Sequence, residues 1–217
     1  MRTKRYISLF LAAVMMLALA ACGGEKDKEK EETMTIQPAQ FSEEEQNLAE
    51  LLALDLGDYH VFSFEAKGAK TLQFNTYELE GGDWSLIQGG GGAELSAETG
   101  RIALTFGKIT DGVRLAFQTE GQIMSTSIWP EPEDDVSAMT VTTSMLGESR
   151  AITLEEEIPL AVQIITSKNE IRSYDVEYFG MPREYAKHGY EHVYAITVTF
   201  SAQGLGGAAP AEPSPAN

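Results

Sequence analysis

Between Tyr59 and Phe200 apolar residues return at every second position, and a chain with that period can bury one side of each segment only as β-strand. His60, Phe62 and Phe64 share one side of the first run, and Leu72, Phe74 and Thr76 share one side of the next. Gly81-Gly82-Asp83 has the composition of a hairpin turn leading into Trp84-Ser85-Leu86-Ile87. Gly89 to Gly92 reads as a flexible connection between strands, after which Ile102 to Phe106 and Val113 to Phe117 form a hairpin through Asp111-Gly112. Pro130-Glu131-Pro132-Glu133-Asp134-Asp135 holds too many prolines and acids for a buried ladder, so a loop is expected there, dividing the strands into two groups. Beyond it Met139 to Thr143, Ala151 to Leu154, Leu160 to Thr166, Ile171 to Phe179 and Val193 to Phe200 resume the pattern, the last with Tyr194, Ile196, Val198 and Phe200 on one face. Strands joined by turns, without helical crossovers, predict a mainly β chain. The architecture expected is a single antiparallel β-sandwich over residues 41–201, with a β-barrel as the alternative.

One short helix is expected ahead of the strands. Ser42 can cap its first turn while Glu45 reaches back, and Glu43, Glu44 and Glu45 suit the positive end of a helix dipole. Leu48, Leu51 and Leu52 fall on one side at helical spacing, and Gly57 is placed to stop the element. The helix should then lie across one end or face of the sandwich.

Residues 1–21 have the layout of a secretory signal peptide, with basic Arg2, Lys4 and Arg5 ahead of an apolar run from Ile7 to Ala18. That run is short for a bilayer crossing, which takes about 20 apolar residues. Leu19-Ala20-Ala21-Cys22 resembles the lipobox of bacterial lipoproteins, which implies cleavage between Ala21 and Cys22 and lipidation of the Cys22 thiol. Several acyl chains anchor stably where one holds weakly, so the mature chain is expected on the extracytoplasmic face of the cell membrane. Residues 22–40 are rich in Glu and Lys and read as an acidic, solvated tether, and residues 202–217 read as a disordered Gly/Ala/Pro tail.

Cys22 is the chain's one cysteine, so no disulfide is available and the fold must rest on packing. The net charge is −17, and loss of residues 1–21 removes three basic residues and no acidic one, which takes it to −20. Such a charge opposes nucleic acid and anionic head groups, and favours solubility, cationic partners or metal ions.

Gly89-Gly90-Gly91-Gly92 lacks the following helix and the Lys-Ser/Thr pair that a phosphate-binding loop requires. His188-Gly189-Tyr190-Glu191-His192 spells H-x-x-E-H and resembles the inverzincin metalloprotease signature, whose chemistry needs both histidines one turn apart on a helix. Gly189 weakens any helix there, and in a strand residues four apart are separated by about 13 Å, too far to share one ion. With three histidines and no G-x-S-x-G elbow, a serine triad has no support either, and Glu131 to Asp135 lacks the spacing of a calcium loop. No catalytic residue, metal or cofactor is therefore assigned. Tyr174, Tyr178, Tyr185 and Tyr190, with Trp84 and Trp129, make a candidate recognition surface, because such side chains combine apolar area with a polar tip. The competing reading is packing, with Tyr174, Val176 and Tyr178 on one buried strand face.

Taken together, the signal, the tether, the capped helix and the runs Phe74-Asn75-Thr76-Tyr77-Glu78-Leu79, Gly89 to Gly92 and Tyr190 to Thr197 look like a group of uncharacterised lipoproteins of Gram-positive bacteria. That resemblance brings no activity with it. The function expected is a surface recognition or accessory module, monomeric, with an unknown surface or wall ligand. The alternative is an extracytoplasmic hydrolase of wall or nutrient polymers. Cys22→Ala should abolish incorporation of a labelled fatty-acid analogue and release the chain from membranes; continued labelling of that variant would refute the lipobox reading.

Overall fold

The period-two segments pair as antiparallel strands in two sheets that face one another. A computed structural model describes residues 33–51, 59–132 and 135–205. Cys22 and the expected signal peptide, Leu52 to Gly57, and the residues beyond Leu205 lie outside the described residues. In chain order the strands are β1 (Thr35–Pro38), β2 (Tyr59–Glu65), β3 (Thr71–Glu80), β4 (Asp83–Glu94), β5 (Thr99–Thr105), β6 (Val113–Thr119), β7 (Gln122–Ile128), β8 (Thr140–Met145), β9 (Arg150–Ala151), β10 (Glu157–Thr166) and β11 (His192–Ser201). One sheet is six-stranded, in the order β7-β6-β5-β2-β1-β9, and the other five-stranded, in the order β4-β3-β11-β10-β8. Each keeps two edges, so the architecture is the sandwich and not the barrel.

The core lies between the sheets. Tyr194, Ile196, Val198 and Phe200 of β11 are all fully buried, as the alternation predicts, and Phe200 meets Phe64 of the opposite sheet with ring centroids 5.0 Å apart. Burial of one such side chain contributes about 1.5–3 kcal/mol. Gln163 is the polar exception on the inner face of β10. Its amide donates to Gly107 O at 2.8 Å and to Thr143 Oγ1 at 2.8 Å, and its Oε1 accepts from the Ile109 amide at 2.7 Å. The side chain thereby fastens the β5–β6 connection of one sheet to β10 of the other.

Several segments differ from the sequence expectation. Thr35 to Pro38, assigned to the tether, is strand β1, with Ile36 fully buried, so the sandwich begins near Met34 and not at Phe41. Four residues are too few to display a period. Gly89 to Gly92 is not a loop but part of β4, which pairs with β3 through irregularities at Phe74/Asn75 and Thr76/Tyr77. A Cβ at Gly89 would stand 2.9 Å from Leu86 Cδ2, the far end of a flexible and exposed side chain that would have to shift. Ile171 to Phe179 forms no strand: Val176–Gly180 is a 3-10 turn, followed by a short helix, α2 (Pro182–Ala186). Both edges of β10 are already taken by β8 and β11, and the alternating Tyr174, Val176 and Tyr178 lie over the sheet and pair with none of its strands. Ala151 to Leu154 is reduced to the two-residue β9, and the unanticipated β7 is an edge strand, mostly exposed, whose Ser125, Thr126 and Ser127 carry no apolar period. The Pro130 loop does not separate two sheets either, since β3 and β4 precede it yet pair in the sheet of β8, β10 and β11.

The N-terminal helix, α1 (Glu43–Leu51), forms with the expected capping box: the Ser42 amide donates to Glu45 Oε2 at 2.8 Å and the Glu45 amide to Ser42 Oγ at 3.3 Å. Arg101 of β5 bonds the other Glu45 oxygen, and with the Ser42 bonds it holds that carboxyl down at about 2. Contrary to expectation, Leu48 and Leu51 are exposed, so the helix is tied to the sandwich by polar contacts and not by its leucines.

Gly100 tests the packing directly. A Cβ there would lie 2.4 Å from Gln118 O and 2.7 Å from Phe64 Cζ, whereas nothing lies within 4 Å of one at Gly180. Thermal melts should show Gly100→Ala losing about 1–3 kcal/mol, the usual range for overpacking, with Gly180→Ala close to the parent.

Candidate binding cleft

Most of the candidate aromatic surface is turned inward. Tyr185 is fully buried and Tyr174 nearly so, their rings edge-on with centroids 5.1 Å apart, and Tyr178 lies 4.7 Å from Tyr174. Trp84 of β4 is half-buried, stacks on Phe179 at 5.1 Å and donates its indole N–H to Phe179 O at 2.7 Å. The Tyr190 hydroxyl accepts from the Arg172 amide at 2.8 Å. This cluster caps the outer face of the five-stranded sheet, where Phe179 also meets Tyr77 at 5.7 Å. It works as a second core. Trp129, just past β7, stands apart from it and is 66% exposed.

The H-x-x-E-H string is divided among three partners. His188 follows α2 and bonds the Tyr174 hydroxyl through Nε2 at 2.7 Å; Gly189 turns with φ 56°, and His192 opens β11. Glu191 accepts from the hydroxyls of Thr166 and Ser167 and from the Ser167 amide. Those bonds, led by Ser167 and Thr166, hold its carboxyl down at about 2. The string is a turn and a strand start, and its two histidines share no helical face.

The side chains that converge on an open site lie elsewhere, at the end of the sandwich nearest the β3–β4 hairpin. On the inner face of β3 the series Leu72, Phe74, Thr76 turns polar and ends in Glu78, opposite Tyr194 of β11. Glu78, Ile87, Gln88, Ile128, Trp129, Pro130 and Glu131 line a cleft of about 330 Å³. One edge of the Trp129 indole rests on Gly112, where a Cβ would come within 2.6 Å of Nε1 and where φ is +114°, so glycine is required on both counts.

Behind the cleft wall His192 Nδ1 bonds Glu78 Oε1 at 2.8 Å, and the His192 ring lies parallel to Tyr194 with centroids 6.0 Å apart. A carboxylate only accepts, so Nδ1 carries the proton in this bond. His192 Nε2, the Tyr194 hydroxyl and Thr76 Oγ1 are buried without a hydrogen-bond partner among the described residues. Burial, and then the nearby Glu78 carboxylate, push the Tyr194 hydroxyl above its ordinary pKa, although the two make no well-formed hydrogen bond. Further along the β4–β7 side, Phe74, Ala93, Leu115, Phe117 and Met124 line an apolar hollow of about 170 Å³.

Sequence reasoning singled out Trp129 but not Glu78, Gln88, Glu131 or His192 as companions to it. The available signal was Glu78, an acid at an inward position of an otherwise apolar strand face. Among known proteins nothing is similar enough to guide the reading: no family model matches the chain, and neither does any curated protein or solved structure.

Glu191 makes a test of the turn into β11. A carboxyl held below its ordinary value of 4.5 adds stability above that pH, and the contribution is lost as pH falls toward about 2. Glu191→Gln should therefore lower Tm near neutral pH, and because the group is exposed the drop should stay within about 2–4 °C. The difference from the parent should close between about pH 4.5 and 2 in melts taken across that window.

Proposed function

We propose that this chain is a lipid-anchored recognition module on the extracytoplasmic face of the cell membrane, holding a ligand in the cleft beneath Trp129. The supporting observation is the exposed indole at the mouth of a cleft whose wall carries Glu78, Gln88 and Glu131, with unpartnered buried polar atoms behind it. Concave sites with an aromatic wall and a few placed polar groups are the ordinary form of small-ligand sites. The lipobox-like Leu19 to Cys22, and the resemblance to lipoproteins of Gram-positive bacteria, support the location.

A second reading, the hydrolase, draws on the Glu78–His192 pair, since a carboxylate that orients an imidazole with a free Nε2 is half of a general-base system. The half that is missing among the described residues is a hydroxyl or thiol bonded to that nitrogen.

A thermal-shift panel of saccharides, wall fragments and peptides on the detergent-solubilised lipoprotein separates the readings. At least one ligand should raise Tm in the parent and not in Trp129→Ala, a change at an exposed position that should itself move stability by under about 0.5 kcal/mol. Equal shifts in both proteins, or none, would remove the cleft from consideration. Polymer hydrolysis lost in Glu78→Gln would favour the second reading.

A further inference from the structure

Resting on that reading, we propose that the cleft takes a cationic nitrogen, an organic ammonium group with its alkyl carbons against the apolar wall. Four observations converge on this. The polar residues that line the cleft are mostly acidic: Glu78 and Glu131, with Gln88 the one neutral amide. Among the described residues Glu78 takes a hydrogen bond only through Oε1, from His192, and Glu131 takes none, so carboxylate oxygens remain for a ligand. Among the described residues no Lys or Arg lines the cleft to neutralise them. The indole of Trp129 stands exposed above, and an aromatic face attracts a cation through its quadrupole.

Other ligand chemistries fit less well. An ammonium group carries positive charge and no acceptor at nitrogen, which matches a wall of carboxylates beside an indole, whereas a sugar is uncharged and presents donors and acceptors together. A calcium ion requires six to eight oxygens and gains nothing from Ile87, Ile128 or an indole. An anion would face two carboxylates within a chain of net charge −17. The buried His192 and Tyr194, with their unpartnered Nε2 and hydroxyl, flank the inner side of Glu78.

The test compares choline with its uncharged isostere 3,3-dimethyl-1-butanol on the detergent-solubilised lipoprotein. The chain has two tryptophans, hence two indole N–H resonances, and Trp129→Phe assigns the one that reports on the cleft. Choline should shift the Trp129 signal saturably, and the neutral isostere should bind at least about tenfold more weakly. Glu131→Gln should weaken choline several-fold and flatten its dependence on salt. Glu78→Gln should do the same, and because Glu78 also holds His192, the exposed Glu131 variant keeps the test decisive if Glu78→Gln misfolds. Equal binding of the two probes would overturn the ammonium assignment and leave recognition at Trp129 standing. A signal moved by calcium chloride alone would overturn it also, as would one moved by neutral saccharides and not by choline. A Trp129 signal that no probe moves, together with a failed ligand panel, would overturn both readings.

Discussion

The structure depends on β11 being paired along both edges and covered on both faces. It lies between β3 and β10 in the five-stranded sheet, with Tyr194 to Phe200 turned to the other sheet and Val193 and Ala195 turned to the aromatic cap. A strand so placed has to satisfy its polar side chains locally. Thr197 donates to Glu157 Oε1 at 3.1 Å, and the same oxygen accepts from Asn75 at 2.7 Å and from the Tyr77 hydroxyl at 2.5 Å, so one carboxylate joins β3, β11 and β10. A register shift of one residue in any of these strands would break that junction and turn the apolar series away from the core. At the far end Glu155 adopts φ 69°, and among the described residues no other non-glycine has a positive φ. A strain of about 1–2 kcal/mol is expected of such a backbone. It is offset where the Glu155 amide donates to Phe200 O at 2.8 Å and its carboxylate accepts from Ser201 Oγ at 2.7 Å and the Ala202 amide at 3.0 Å.

How legible this was in the sequence follows from which residues carry a period. β2, β3 and β11 alternate over seven to ten residues and were recognisable as strands, as was the Ser42–Glu45 capping box, whose signal is local. β1 and β9 are too short for a pattern, and β7 is an edge strand whose side chains are mostly in water, so neither length nor hydrophobicity marks them. Tyr174, Val176 and Tyr178 alternate but are not strand. Period two describes which side chains go inward, and a 3-10 turn lying on a sheet can satisfy it as well as a ladder can. The glycines of β4 misled for the opposite reason, since by composition they marked flexibility whereas the run pairs in a ladder with β3. The cleft was less legible still: Glu78 and His192 are 114 residues apart in the chain, and only the β3–β11 register brings them together.

That register also explains why the polar site sits where it does. The inner faces of β3 and β11 are apolar from Leu72 and Phe200 through Phe74 and Val198, then change character together at Thr76, Glu78, Tyr194 and His192. The change falls at the end of the sandwich, beside β4 and β7, the edges at which both sheets stop. There Glu78 lines the cleft, while Thr76, Tyr194 and His192 are buried behind it.

Each buried polar atom left without a partner costs about 1–3 kcal/mol, against a net stability for ordinary domains of roughly 5–15 kcal/mol. Thr76 Oγ1, His192 Nε2 and the Tyr194 hydroxyl lie on one face of one sheet around Glu78, and apolar side chains of similar size at Thr76 and Tyr194 would have continued the core with no such penalty. Elsewhere Thr110 Oγ1 and Arg150 Nη1 are also buried without a partner, whereas the buried Gln163 amide has three partners. Three of the five such atoms among the described residues gather beside one open cleft, and a concentration of that kind marks a place where a fold gives up stability for function.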